Sequence, residues 1–231
     1  MTLDIITSDS LAPLRHGFFG RQGGASSGIF GGLNCGYGSS DQHEAVAINR
    51  GRVAAALGLE ADRLIGVHQI HSADVVVVTD PETPRPSADA MATNLPGVAL
   101  TVLTADCQPV LFADPVAGVI GAAHAGWKGA LAGVLGKTVD AMEALGAQRD
   151  RINAVIGPTI SQRAYEVGPE FFDAFIAEDP SFARFFAGGE GDRMMFDLPA
   201  LGLHLLRQAG IANAEWTRHC TFSDPDRFFS Y

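Results

Sequence analysis

The chain has 231 residues, 47% hydrophobic and 18% charged, with a formal net charge of −10 at pH 7. That is a globular composition, and the acidic excess excludes a protein that wraps a nucleic-acid backbone, while leaving room for a small anion in a local pocket. No apolar run approaches the ~20 residues of a membrane-spanning helix, so no membrane partner is expected.

In chain order, "HGFFGRQGGASSGIFGGLNCGYGSSD" predicts a brief strand and then a long irregular loop. "QHEAVAINRGRVAAAL" (42–57) has helical apolar spacing at Val46, Val53 and Leu57, interrupted by Gly51. Short β-branched runs predict strands at 63–70, 74–79, 98–104, 109–114 and 117–124, with a Pro-rich surface loop at 80–89. A helix over 129–145, a strand at 152–157, helices at 168–179 and 197–210, and a closing strand at 214–222 complete the order. Strands outnumber helices and several join by short turns. The expectation is an α+β fold, a layered single domain spanning 1–231, with central mixed or antiparallel β-sheets flanked by helices.

The chemistry concentrates in "TADCQPVL" and "AAHAGWKG", which place Cys107 and His124 seventeen positions apart. If 109–114 and 117–124 form a hairpin centred between Pro115 and Val116, Cys107 and His124 become cross-strand neighbours with Cβ atoms ~5 Å apart. Such a separation suits a metal ion, at ~2.3 Å from sulfur and ~2.0 Å from nitrogen, or a thiolate–imidazole pair. A one-residue register shift would place the two on opposite faces. "HQIHSAD" adds His68 and His71, which an unbroken strand would point to opposite sides. His71, at the break before "SAD", is the expected third group, with His68 in support. After His124, "AGWKGALAGVL" turns through Gly126 into a helix near Gly129, where backbone amides and Lys128 can meet an anion. Arg21 in the Gly-rich loop is a second anion contact. Gly157, Pro158, Tyr165 and Glu166 are either turn residues or a pocket wall. Asp106 is a candidate partner to Cys107, although neighbours in a strand face opposite ways.

Cys35, Cys107 and Cys220 cannot all pair within one chain, and none belongs to a C-x-x-C. With no basic-then-apolar signal pattern at the N-terminus, the expectation is free thiols in a reducing cytoplasm.

Together "HGFFGRQGG", "LNCGYGSSD", "HQIHSADV", "DAMATNLPGVALTVLTADCQPVLFADP", "HAGWKG", "IGPTISQRAYEVGPEF" and "CTFSDPDRFFSY" resemble the bacterial polyphenol oxidase or laccase-domain family, now described as purine nucleoside phosphorylases and including peptidoglycan-editing relatives. The resemblance implies Zn²⁺ held by His71, Cys107 and His124. It also implies phosphorolysis of adenosine, inosine and methylthioadenosine, and adenosine deaminase activity. In two places the sequence departs from that pattern. Gln162 and Arg163 stand where many relatives carry two cysteines, and relatives continue past "FFSY" with basic residues and a final strand.

Three other functions compete. A copper-dependent phenol oxidase uses donors that also bind copper tightly, but coupled oxygen chemistry calls for His-x-His pairs, and the seven His include none. A metal-free amidase or hydrolase would use Cys107 as nucleophile and His124 as base. A metal-stabilised binding protein would need a fourth ligand, and Cys35, Cys220 and the remaining His lie in unrelated segments.

Overall fold

Two consecutive apolar runs build the middle of the molecule. The computed structural model describes residues 2–82 and 86–231, so part of the Pro-rich loop at 80–89, residues 83–85, lies outside the described residues. In chain order the elements begin with β1 (Ile5–Ile6), β2 (Phe18–Phe19), α1 (His43–Ala56), β3 (Leu64–Gly66), β4 (Val75–Val77), β5 (Ala90–Thr93) and β6 (Ala99–Thr101). There follow β7 (Gln108–Asp114), β8 (Val119–Ala125), α2 (Trp127–Leu131), α3 (Val134–Ala144), β9 (Asn153–Ile156), β10 (Glu166–Val167) and α4 (Pro169–Glu178). The last elements are β11 (Phe186–Gly188), β12 (Met194–Phe196), α5 (Leu198–Gln208) and β13 (Asn213–Trp216).

A six-stranded mixed sheet runs β13-β9-β7-β8-β5-β4, parallel at its two outer pairs and antiparallel within. β7 and β8 lie at its centre, covered on both faces, and therefore read as near-continuous apolar sequence. On one face, Ala90, Ala92, Val110, Phe112, Ala123 and Ile156 pack against Val134, Leu135, Val139 and Met142 of α3 and Leu206 of α5. On the other, Met91, Leu111, Ile120 and Ala122 meet Leu100, Ile65 and Val78 beneath the parallel β3–β6 pair. α1 covers that pair through Val53, Ala54, Leu64 and Ala99. A three-stranded sheet, β10-β12-β11, closes with α4 around Phe175, Phe182, Phe185 and Phe196. The layered α+β expectation therefore holds.

Several local expectations change. The helix expected over 129–145 is two helices, because Gly133 adopts φ 88°, a left-handed conformation that ends α2 and lets α3 start in a new direction. β5 has no counterpart among the expected strands, since "AMAT" has weak β propensity; its position between β8 and β4, with every residue buried, decides it. The strand expected at 63–70 stops at Gly66, leaving His68 in a single bridge to Ser87, and the closing strand ends at Trp216 rather than 222.

The hairpin register differs by two residues. Pro109, not Cys107, faces His124. The loop occupies Pro115–Gly118: Asp114 Oδ1 accepts the amides of Val116 and Ala117 at 3.0 Å each, and Gly118 takes φ 67°. The turn centre thus moves one residue along the chain, and each cross-strand partner moves by two.

Phe112, 2% exposed on β7, reports on this core. Phe112→Ala is expected to lower stability by about 3–5 kcal/mol in chemical denaturation, as the α3 face of the sheet opens a cavity.

Candidate metal centre

An even register shift keeps each side chain on its own face of the sheet. Cys107 therefore lies diagonal to His124, opposite Gly126, and the two still share a face. Gly126 is where bulk is forbidden: a Cβ there would come 2.7 Å from Cys107 Sγ and 3.2 Å from His71 Cδ2. His71 arrives from the turn after β3, and its backbone is in the left-handed region at φ 60°. That conformation is uncommon for a non-glycine residue and needs local support.

Asp89 supplies it. Its fully buried carboxylate accepts the amides of Ile70, His71 and Ser72 at 3.2, 2.9 and 2.6 Å, so the whole turn wraps around one side chain. The same carboxylate accepts from His124 Nδ1 at 2.8 Å, while the Asp89 carbonyl accepts the His124 amide at 2.7 Å. With Nδ1 engaged, His124 presents Nε2 as its ligand atom. One carboxylate thus orients two of the three candidate ligands. Its residue was not singled out in the sequence, where the one available signal was a charge opening the apolar run "DAMA".

His71, Cys107 and His124 bring their ligand atoms within 4.8 Å of one another. Cys107 Sγ is 3.9 Å from His71 Nε2, close to the about 3.5 Å that two ligands of a tetrahedral metal keep. The two imidazole rings meet edge to face at 4.8 Å. Burial chiefly, and His71 beside it, hold His124 below the ordinary imidazole range against the pull of Asp89, so it is neutral, as a metal ligand must be. Burial, then the charges of Asp106 and Asp89, push the Cys107 thiol up to about 11. Burial alone would raise the Asp89 carboxyl, but His124 and the Ser72 and Ile70 amides outweigh it and keep it ionised. A neutral His124, a second imidazole, a thiol and nearby carboxylates form a field that favours a cation. The donor set suits zinc or copper.

The remaining predicted residues are placed differently. Arg21 is spent elsewhere: its guanidinium donates to the carbonyls of Gly31 and Pro225 and lies 4.5 Å over the Phe229 ring. It lines a separate cavity of about 1190 Å³ between β2, β6 and residues 228–231, which none of the three ligands lines. Gly129 lies inside α2, where a Cβ would meet Ser72 O at 2.8 Å; it allows close packing against the His71 turn. Lys128 is exposed, its Nζ 5.5 Å from the Trp127 ring. His68 is exposed and contributes only backbone bonds to Pro86 and Ala88. Trp127, directly after Gly126, packs on Phe171 at 4.7 Å, and Phe171 on Tyr165 at 5.9 Å. Burial, then the Cys107 and Asp106 charges, push the Tyr165 phenol up to about 12, so it keeps its proton. Glu166 enters β10. Cys35, Cys107 and Cys220 are all free thiols.

A family model described as multi-copper polyphenol oxidoreductase laccase matches residues 15–231. The chain belongs to that family. It is 41% identical over 219 residues to a Streptomyces griseus protein named purine nucleoside phosphorylase ORF3, covering 91% of this chain and 86% of the relative. A Deinococcus radiodurans protein named purine nucleoside phosphorylase is 41% identical over 99% of this chain and 87% of its own length. The crystal structure of Neisseria meningitidis protein NMB0706 superposes with TM-score 0.90 at 36% identity, over 99% of this chain and 92% of that one. YlmD from Geobacillus stearothermophilus superposes with TM-score 0.86 at 28% identity, over 96% and 87%. Among the described residues of this laccase-family chain, the His71–Cys107–His124 group is the one set of three or more His, Cys, Asp or Glu side chains placed to hold a metal ion. No described helix is long and apolar enough to cross a membrane.

In metal-free protein the raised Cys107 pKa means that only about 0.1% is thiolate at pH 8. Alkylation of Cys107 by iodoacetamide, followed by peptide mass spectrometry, is expected to rise about tenfold per pH unit between pH 8 and 10. If the cluster holds a divalent metal ion, Asp89→Asn, with the fold retained, is expected to weaken its binding roughly 10–100-fold in a chelator competition.

Proposed function

We propose that the chain is a zinc-dependent purine nucleoside phosphorylase acting on adenosine, inosine and methylthioadenosine, with a second activity as an adenosine deaminase. The observation that carries the reading is an open three-donor centre in a chain about 40% identical, over nearly its whole length, to proteins named purine nucleoside phosphorylase. His71, Cys107 and His124 would hold the ion. A zinc ion held by three protein ligands supplies a Lewis acid with an open position, and in deamination the means of activating water.

The chain's own residues carry the rest. Asp89 keeps the Nδ1 proton of His124, fixing that imidazole, and holds the backbone turn that carries His71. In phosphorolysis the bond from C1′ to the purine nitrogen breaks, a phosphate oxygen bonds to C1′, and the departing base takes up a proton. Trp127, Phe171 and Tyr165 offer half-buried rings beside the cluster, suited to a flat purine. Tyr165 retains its phenolic proton and so can donate to the base. Lys128, exposed next to Trp127, is the cation we assign to phosphate; Arg21, bound to Gly31 and Pro225, is not available for it.

Two features weigh against the competing readings. A cysteine nucleophile needs a lowered thiol pKa, and Cys107 is shifted the other way. Copper would be held by the same three donors, but coupled multi-copper chemistry requires further ligand clusters, and the described residues form one.

Purified, metal-quantified protein should release free base from adenosine, inosine or methylthioadenosine only when phosphate is present. Cys107→Ala and His124→Ala should lose bound zinc, and with it roughly 100-fold or more of that activity. Zinc-replete protein that releases neither base nor inosine from any of the three would sink the purine reading.

A further inference from the structure

Cys107, the third candidate ligand, is not among the hydrogen-bond partners of the Asp89 carboxylate, and a second acidic residue stands in the corresponding place. Asp106 is left-handed at φ 77°, so the peptide leading into Cys107 is turned by an uncommon backbone conformation. Asp106 is also a junction of three chain segments. Its carbonyl accepts the Ile160 amide at 3.0 Å and the Thr159 hydroxyl at 2.7 Å. Its carboxylate accepts the Thr221 hydroxyl at 2.6 Å, the Ser230 hydroxyl at 2.9 and 3.0 Å, and the Tyr231 amide at 2.8 Å. Segments 158–160 and 219–221 are tied to each other through the Thr159–Cys220 bridge, with Thr159 N–H donating to His219 O and Thr221 N–H to Thr159 O.

None of these donors is cationic. A carboxyl group surrounded by hydroxyls and an amide, rather than by Arg or Lys, is held for its shape: two oxygens at fixed angles meet three donors from a segment more than a hundred residues away. The expectation from strand alternation, that a neighbour of Cys107 faces away and does nothing for it, misses this because Asp106 lies before β7 begins, in a turn.

We propose that Asp106 is a positioning residue for the metal centre: by clamping residues 221–231 to the turn before β7, it fixes the left-handed backbone that aims Cys107 Sγ at His71 and His124. The proposal rests on the metal reading of that cluster and extends it to a residue that touches neither ion nor substrate. It makes ligand geometry depend on the docking of the segment that carries Thr221 and Ser230.

The test is zinc affinity, by competition with a chromophoric chelator, together with the thiolate-to-metal absorption of Co²⁺-loaded protein. Asp106→Ala is expected to bind zinc about 10–100-fold more weakly, the range typical of residues that orient metal ligands. Asp106→Gly should lose as much, since glycine accepts the φ but has no carboxylate. Asp106→Asn, which keeps the shape and tolerates the left-handed region, should bind zinc more tightly than either. Thr221→Val and Ser230→Ala, distant in sequence, should each weaken zinc by several-fold and shift the Co²⁺ band, with far-UV circular dichroism unchanged. These two keep the test informative if an Asp106 variant fails to fold.

Asp106→Gly at wild-type affinity would overturn the proposal, leaving only a conformational preference. So would Asp106→Asn as weak as Asp106→Ala, which assigns the effect to charge, or Thr221→Val and Ser230→Ala proteins that melt earlier yet bind both ions unchanged. Wild-type protein that binds neither ion would remove the metal reading itself, an outcome separate from all of these.

Discussion

The candidate centre depends on one buried carboxylate. Asp89 has no exposed surface, and a charge in that position persists only where its hydrogen-bonding capacity is met. Three successive amides and one imidazole meet it. The requirement runs both ways: the amides of Ile70, His71 and Ser72 belong to a turn whose left-handed residue would otherwise have little to hold it. The cost of burying the charge and the cost of the backbone are offset by the same contacts. Removal of the carboxyl would therefore release a turn and a ring together.

The sheet around it is arranged to leave that contact room. His124 lies one residue before the end of β8, shortly ahead of two positions without side chains. Gly126 gives space to Cys107 Sγ, and Gly129 lets α2 lie against the carbonyl of Ser72. Ala125, the other small residue of "AGWKG", packs in the core, whereas these two glycines leave room for the His71 turn and the Cys107 turn to approach. An added methyl at Gly126 would occupy the space between two ligands while leaving the sheet intact. The relation between fold and site is thus local exclusion of bulk as much as placement of donors.

Much of this was legible in the sequence, and the errors have distinct physical origins. The β7–β8 hairpin was readable from its apolar runs and the "DPVA" turn, yet its centre lies one residue further along, because Asp114 caps the loop and Gly118 extends it. The shared face of Cys107 and His124 survived because side chains alternate with period two and the partner shift was even. His71, preferred to His68 in the sequence, is the one that lies beside Cys107 and His124, since the break before "SAD" turns it while His68 stays in a backbone bridge. Asp89 was passed over, and Asp106 was named as a candidate partner of Cys107 but set against strand alternation, for a common reason: their partners come from turns and distant segments, which no spacing rule encodes. Arg21 looked available because a Gly-rich loop suggests mobility, whereas two carbonyls and Phe229 hold it. β5 was invisible because alanine and methionine signal nothing until a neighbouring strand and a helix enclose them.

Charge is the last constraint on the chemistry. The charges acting on Cys107 are Asp106 and Asp89, both negative, and burial adds to their effect. Such a setting suppresses a free thiolate, so it disfavours nucleophilic catalysis by the same physics that would favour a divalent cation. A cation there would meet two carboxylates held in place by hydrogen bonds, one neutral imidazole fixed by Asp89, and a thiol that gives up its proton on ligation. The proton released makes metal loading steeper with rising pH, while the neutral state of His124 removes any competing need to deprotonate that ring near neutrality. What distinguishes this centre from a cysteine–histidine dyad is therefore the sign of the field around the sulfur, since three donors within 4.8 Å of one another would serve either.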